Sequence, residues 1–273
     1  MQALEQFSLK EKVIVIPGGT GVLGSAFARA VAAAGARVAV IGRNRDKAAA
    51  VVADIRQKGG EAMDLIADVL EEKQVREARD RILDQWGRVD GLVNAAGGNT
   101  PGAVVPPDKD LFSVRTEAIR EVVDLNIYGT VIPTQCFAEV MARQQKGSII
   151  NISSLSAQRP LSRVMGYSLA KTAVEGYTQW MAIELPKRYG DGLRVNALAP
   201  GVFLTEQNRG LLLRPDGSYS ERAQLFVDNT PFGRLGDPEE LTGTVIWLLS
   251  DASRFVNGAV ILVDGGFNAF SGV

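Results

Sequence analysis

Two rhythms of apolar residues alternate along the chain. Short runs rich in Val and Ile read as strands: VIVI (13–16), RVAVIG (37–42), GLVNAAG (91–97), GSIINISS (147–154), LRVNALAP (193–200) and AVILVDGG (259–266), with MDLIAD (63–68) as a seventh. Between them, apolar residues recur at helical spacing over Val22–Ala34, Arg45–Lys58, Glu71–Trp86, Thr116–Gln144, Gly166–Tyr189 and Pro238–Ser250. Strands alternating with helices imply right-handed crossovers and a doubly wound parallel sheet with helices on both faces. The chain shows no internal repeat, low-complexity linker or break in composition, so residues 1–273 read as a single α/β domain. One stretch resists the pattern. Residues 203–234, including TEQNRGLLLRPDGSYSER, are polar and irregular, which predicts a substrate loop or flap, or a locally helical insertion.

Composition narrows the function. Thirty Lys and Arg against 31 Asp and Glu, with no basic block, argue against a nucleic-acid surface. The chain has no histidine, which removes Ser/His/Asp triads and most zinc sites. The single cysteine, Cys136, cannot form an internal disulfide and reads as a small core residue. The polar start MQALEQFSLKEK is unlike a signal peptide, and the longest apolar stretches are interrupted by Gly35, Arg37 and Gly42. A soluble, cytoplasmic protein without metal or membrane partners is expected.

The chemistry begins at IPGGTGVLGS (16–25), where a strand gives way to a small-residue helix. Backbone N–H groups at such a helix start hold a diphosphate, assisted by the helix dipole. Two frames compete: Gly19, Gly21 and Gly24 fit G-x-G-x-x-G, whereas Gly18 and Gly24 fit a longer pattern, T-G-x-x-x-G-x-G, with Pro17 and Val22 as departures. The second strand ends in Gly42, Arg43 and Asn44, where NAD sites commonly carry an acid for the ribose hydroxyls. Arg43 would instead suit a 2′-phosphate, which favours NADP and leaves NAD possible. Further on, Tyr167 and Lys171 lie four residues apart in a helical stretch and share one face. A neighbouring ammonium and a cationic nicotinamide would lower the tyrosine pKa toward that of a usable base. Ser154, at the end of INISS, could hydrogen-bond the substrate oxygen while Tyr167 exchanges its proton with it, and a capping role falls more naturally to Ser153.

With these pieces in order, the chain resembles the short-chain dehydrogenase/reductase family over nearly its whole length. PGGTGVLG, AD (67–68), NAAG (94–97), DLN (124–126), INISS, YSLAK, RVNALAPG and VDGG carry the likeness. The resemblance implies a Rossmann-type domain that moves hydride between a nicotinamide and a carbonyl or alcohol. It implies Ser154 as the group that orients the oxygen, Tyr167 as general acid/base, and Lys171 as the residue that lowers the tyrosine pKa and binds the nicotinamide ribose. Asn126 would distort its helix and anchor a water in a relay to Lys171. Gly18 would open the cofactor loop, Gly24 would let the helix pack closely, and Thr20, Gly21, Val22 and Leu23 would lie between them. Asp68 and Val69 would border the adenine, while Asn94, Ala95, Ala96 and Gly97 would line the cofactor. Pro200, Gly201, Val202 and Thr205 would flank the nicotinamide. Family members usually form homotetramers through the two long helices near Thr116–Gln144 and Gly166–Tyr189.

NAAGGN, DLNIYGTVIPTQ, APGVFLTEQNR, TPFGRLGDPEEL and the tail VDGGFNAFSGV are similar to the mannonate-type subgroup, the D-mannonate oxidoreductases or fructuronate reductases. That likeness implies a sugar-acid substrate, with a gluconate 5-dehydrogenase, a 3-oxoacyl-carrier-protein reductase or a non-catalytic nucleotide sensor as alternatives. A carboxylate wants a fixed guanidinium. Arg159, Arg163 and Arg209 are candidates for it, and Asn99, Gln207 and Asn208 could bind hydroxyls.

Overall fold

The computed structural model describes residues 3–205 and 208–272. Its seven strands are β1 (Val13–Pro17), β2 (Arg37–Gly42), β3 (Glu61–Ile66), β4 (Gly91–Asn94), β5 (Gly147–Ile152), β6 (Leu193–Pro200) and β7 (Val260–Val263). All pairings are parallel, in the order β3-β2-β1-β4-β5-β6-β7. The helices are α1 (Val22–Ala33), α2 (Arg45–Gln57), α3 (Glu72–Trp86), α4 (Thr116–Val123), α5 (Gly129–Gln144), α6 (Leu155–Gln158), α7 (Met165–Tyr189), α8 (Arg209–Leu212), α9 (Glu221–Asp228) and α10 (Thr242–Leu249). The expected Rossmann-type architecture is present.

Strand β1 shows why the sheet needs cover on both sides. Successive side chains point to opposite faces, and all five residues are buried. Ile14 and Ile16 pack with Phe27 and Val31 of α1, Val52 and Ile55 of α2, and Val245 and Leu248 of α10. Val13 and Val15 pack on the other side with Ile82 of α3, Phe137 and Met141 of α5, and Leu185 of α7. Each buried Leu, Ile, Val or Phe contributes about 1.5–3 kcal/mol, so these two layers dominate the stability. Strand order reverses between β1 and β4, which opens a crevice past the carboxyl ends of the strands. Among the described residues, no helix is long and apolar enough to cross a membrane.

Two expected helices are interrupted. Thr116–Gln144 divides into α4 and α5 at one π-helical turn, Asp124–Tyr128. Its cause is Asn126, whose Nδ2 donates to Val122 O at 2.7 Å and takes the carbonyl that the helical ladder would use. Pro238–Ser250 starts as a tight 3₁₀ turn, Pro238–Leu241, closed by a capping box between Asp237 and Glu240, and continues as α10. The irregular 203–234 stretch is locally helical. It holds α8 and α9 around a small cluster of Leu212, Ala223, Val227 and Leu235.

Candidate active site

The glycine loop follows the longer frame. Gly18 has φ of +77°, a left-handed conformation that suits glycine. A side chain there would collide with the backbone of Ala95 and Ala96, and one on Gly24 would collide with Gly18 O. Gly19 is less permissive than its neighbours suggest: a Cβ would lie 2.8 Å from Ile16 O and 3.0 Å from Val40. Gly21 meets only Gly18 O, at 3.3 Å, and caps α1 without a side-chain hydrogen bond. The first-turn amides of Val22, Leu23 and Gly24 therefore face the crevice without a side-chain cap, and this cradle fits a dinucleotide's diphosphate.

The end of β2 explains the missing acid. A Cβ on Gly42 would sit 2.5 Å from Thr20 Oγ1, so Thr20 occupies the space a side chain would need. Next to it, Arg43 pairs with Asp68 at 3.6 Å while its side chain stays 75% exposed. Asp68 is itself pinned, its N–H donating to Gln74 Oε1 at 2.8 Å. Val69 is buried against Gly129. Asn44 caps α2, its Oδ1 accepting from Lys47 N at 2.9 Å.

At the end of β4, Asn94 points into the protein. It is 1% exposed, and its Nδ2 donates to Thr134 Oγ1 and Asn151 Oδ1, both at 2.8 Å. Among the described residues its side chain thus knits β4 to β5 and α5. The crevice wall comes instead from the next three residues. Ala95 N donates to Pro17 O at 2.9 Å, Ala96 abuts Gly18, and Gly97 faces Asn126 and Lys171.

The four catalytic candidates converge at this point. Asn126 is fully buried and clamps Gly98 from both sides: Nδ2 donates to Gly98 O at 2.7 Å and Oδ1 accepts from Gly98 N at 3.1 Å. A Cβ added to Gly97 would lie 2.7 Å from Asn126 Oδ1 and 3.1 Å from Lys171 Nζ, so both groups press on this glycine and leave no room for a side chain. Lys171 is 3% exposed, and Nζ donates to Ile152 O at 2.8 Å. Burial pushes its pKa down to about 8. The ammonium lies 5.5 Å from the centre of the Tyr167 ring, which packs on Ala103, Ala118 and Val122.

Tyr167 sits in a desolvated setting. Burial raises the phenol pKa, and the hydrogen bond with Ser154 offsets this only in part. A phenol shifted in that direction carries its proton at neutral pH. Ser154 corrects the sequence reading. It is Ser154 that caps α6, accepting from Ser156 N at 3.2 Å, whereas the buried Ser153 donates to Glu175 Oε1 at 2.7 Å. Ser154 Oγ thus lies between Ser156 and Tyr167, held by α6 on one side and facing the phenol on the other.

The remaining candidates surround this centre. Gly201 crosses close to Asp264, its N–H donating to Val263 O at 2.9 Å, which fixes Pro200 at the end of β6 and Gly201 and Val202 just beyond it. Thr205 and Asn208 bind each other: Thr205 N donates to Asn208 Oδ1 at 2.8 Å, and Asn208 Nδ2 donates to Phe203 O at 2.8 Å. The side chain of Asn208 is thereby spent on the loop's own shape. Asn99 Oδ1 accepts from Thr100 N at 3.0 Å. Arg159 is engaged by the C-terminal tail, Nη1 donating to Phe267 O at 2.7 Å and Phe270 O at 2.9 Å. Arg163 stands four residues before Tyr167, and Arg209 is exposed at the start of α8. Gln207 lies outside the described residues.

Known proteins share this fold. A family model described as enoyl-(acyl carrier protein) reductase matches residues 20–268. The uncharacterized oxidoreductase UxuB of Bacillus subtilis is 40% identical, covering 97% of this chain and 98% of its own. A solved structure from Haemophilus influenza with bound NAD, provisionally assigned as a D-mannonate oxidoreductase, is 40% identical with a TM-score of 0.91, covering 97% of this chain and 98% of its own. A gluconate 5-dehydrogenase from Burkholderia cenocepacia, solved with NADP and tartrate, is 34% identical with a TM-score of 0.87, covering 98% and 99%.

Proposed function

The chain is an NAD(P)-dependent oxidoreductase of the short-chain dehydrogenase/reductase family, and on that premise we propose that it interconverts a keto sugar acid and its alcohol, with D-fructuronate and D-mannonate as the pair. The observation that carries the reading is the meeting of Ser154, Tyr167, Lys171 and Asn126 beside an uncapped glycine-rich helix start. Gly18, Gly21 and the first turn of α1 would hold the cofactor's diphosphate, and Lys171 the ribose beside the reacting ring. When bound, the nicotinamide supplies or accepts the hydride. The rest belongs to the chain. Ser154 positions the substrate oxygen, and Tyr167 delivers its phenolic proton to that oxygen during reduction. Lys171 and Asn126 both lie against Gly97, and in this scheme a relay through them returns the proton to Tyr167. In this scheme the 203–234 segment closes over the substrate and excludes water.

One feature favours a sugar acid: Arg222 reaches the loop that carries Arg163, just before Tyr167. The relatives assigned to D-mannonate and gluconate oxidation point the same way. Steady-state rates with D-fructuronate, 5-ketogluconate and an acetoacetyl thioester separate these activities. D-fructuronate is expected to give the highest kcat/KM; equal or better rates with either other compound would remove this substrate pair.

NADP is the favoured cofactor in this scheme, because Gly42 leaves no acid at the end of β2 and Arg43 stands exposed next to it. Arg43→Ala is expected to lower the NADPH-to-NADH ratio of kcat/KM about tenfold, the worth of one charge-assisted hydrogen bond. An unchanged ratio would exclude Arg43 as the discriminator. A homotetramer fits the apolar side chains left on α7, where Leu169, Trp180 and Ile183 are all more than half exposed. Light scattering that returned a monomer mass would contradict it.

A further inference from the structure

Three segments distant in sequence are joined by stacked side chains. The guanidinium of Arg159 lies over the Phe267 ring at 5.8 Å from its centre, the Phe267 and Phe226 rings are 6.2 Å apart, and Arg222 lies over Phe226 at 5.2 Å. This arginine–phenylalanine–phenylalanine–arginine ladder joins the loop before α7, the tail after β7 and the flap helix α9. Its two ends differ. Arg159 donates to two tail carbonyls and so locks the tail in place. Arg222 makes one bond across to the loop, Nη2 to Ser162 O at 3.1 Å, which brings it next to Arg163.

Among the described residues, neither Arg163 nor Arg222 has a carboxylate within ion-pair distance, although each is only partly exposed. Arg88 is matched by Asp90, Arg234 by Glu240 and the buried Arg194 by backbone carbonyls, whereas among the described residues the Arg222 guanidinium donates only to Ser162 O and that of Arg163 has no hydrogen-bond partner. Burial, and then the positive charge of Arg163, push the pKa of the Arg222 guanidinium below its usual range. Two cations facing each other in a partly dry cleft are unfavourable until an anion sits between them. Arg163 also has φ of +75°, a conformation uncommon for a long side chain, and its carbonyl is held by Val105 N at 2.9 Å. The backbone is thus pinned in the shape that presents this guanidinium four residues ahead of Tyr167.

We propose that Arg163 and Arg222 form the seat for the carboxylate of the substrate, with Arg159 and the phenylalanine pair holding the flap at the right distance. The seat rests on the sugar-acid reading and adds to it the residues that discriminate an acid from a neutral ketone or thioester. Arg222 lies on α9, so the flap helix itself contributes one half of the seat.

The test uses the full-length enzyme with D-fructuronate and reduced cofactor, comparing Arg163→Gly, Arg222→Met and Arg222→Lys. Each of the first two is expected to raise KM about tenfold or more, the usual weight of a guanidinium–carboxylate bond, with kcat within about threefold. Arg222→Lys should recover part of the loss, because a point charge replaces a two-pronged donor. Cofactor affinity should not change. Arg163→Gly should hold or raise Tm, because glycine takes a left-handed φ without steric cost. KM shifts below about threefold in both variants, or a rise in KM matched by falls in Tm and cofactor affinity, would overturn the seat and leave a structural tie. A wild-type enzyme that reduces no keto sugar acid contradicts the sugar-acid reading itself. Wild-type turnover with KM unmoved in the variants contradicts the seat alone.

Discussion

Tyr167→Phe is expected to lower kcat by about a hundred- to ten-thousandfold, the range for loss of a positioned general acid, while binding of reduced cofactor stays within about twofold. The substitution removes one oxygen. The ring still packs on Ala103, Ala118 and Val122, so the cleft keeps its shape. What disappears is the phenolic proton and its hydrogen bond with Ser154. Ser154 remains anchored through Ser156 and can still orient an oxygen, which accounts for any residual rate. Cofactor titration by fluorescence together with steady-state turnover checks both halves. Turnover within tenfold of wild type would show that the proton comes from another group.

Lys171→Met is expected to cut turnover by about a hundredfold or more and to stabilise the protein at neutral pH. Lys171 is 3% exposed, and burial brings its pKa from the ordinary 10.5 to about 8. Between those values the unfolded chain binds a proton that the folded chain lacks, so stability rises with pH across that window. Below pH 8 the buried ammonium costs the fold on the order of 3 kcal/mol. Methionine removes that cost and fills similar volume, while the lost bond to Ile152 O forfeits about 1 kcal/mol. The balance favours the variant. Its Tm should exceed that of wild type by a few degrees at pH 7, and the gain should vanish as pH approaches 10.5. A lower Tm at pH 7 would mean that the ammonium is better solvated than its burial implies.

Local pattern carried much of this molecule. Apolar runs located the central strands, because a parallel sheet covered on both faces buries them, whereas the edge strand β3 spans Glu61–Ile66 rather than 63–68 and is partly exposed. The spacing of Gly18 and Gly24 likewise reflects a contact within one turn. What the sequence hid depends on partners far along the chain. Gly19 is constrained by Val40 on the neighbouring strand. Ser153 is claimed by Glu175, 22 residues on, which leaves the cap to Ser154. Arg159 looked free to meet substrate until the tail, 108 residues later, supplied two carbonyls. Arg222 gave no local signal at all, since one arginine in the first turn of a polar helix resembles any surface charge. The π turn at Asn126 arises from a side chain competing with the backbone for a single carbonyl, which periodicity does not register.

The most direct test follows the hydride. Wild-type enzyme is incubated with D-fructuronate and deuteride-labelled reduced nicotinamide dinucleotide, and the product is examined by NMR and mass spectrometry. D-mannonate carrying one deuterium on the former ketone carbon, formed in step with cofactor oxidation, is the predicted result. Unlabelled sugar acid, alongside deuterium transfer to an acetoacetyl thioester under the same conditions, would contradict the account.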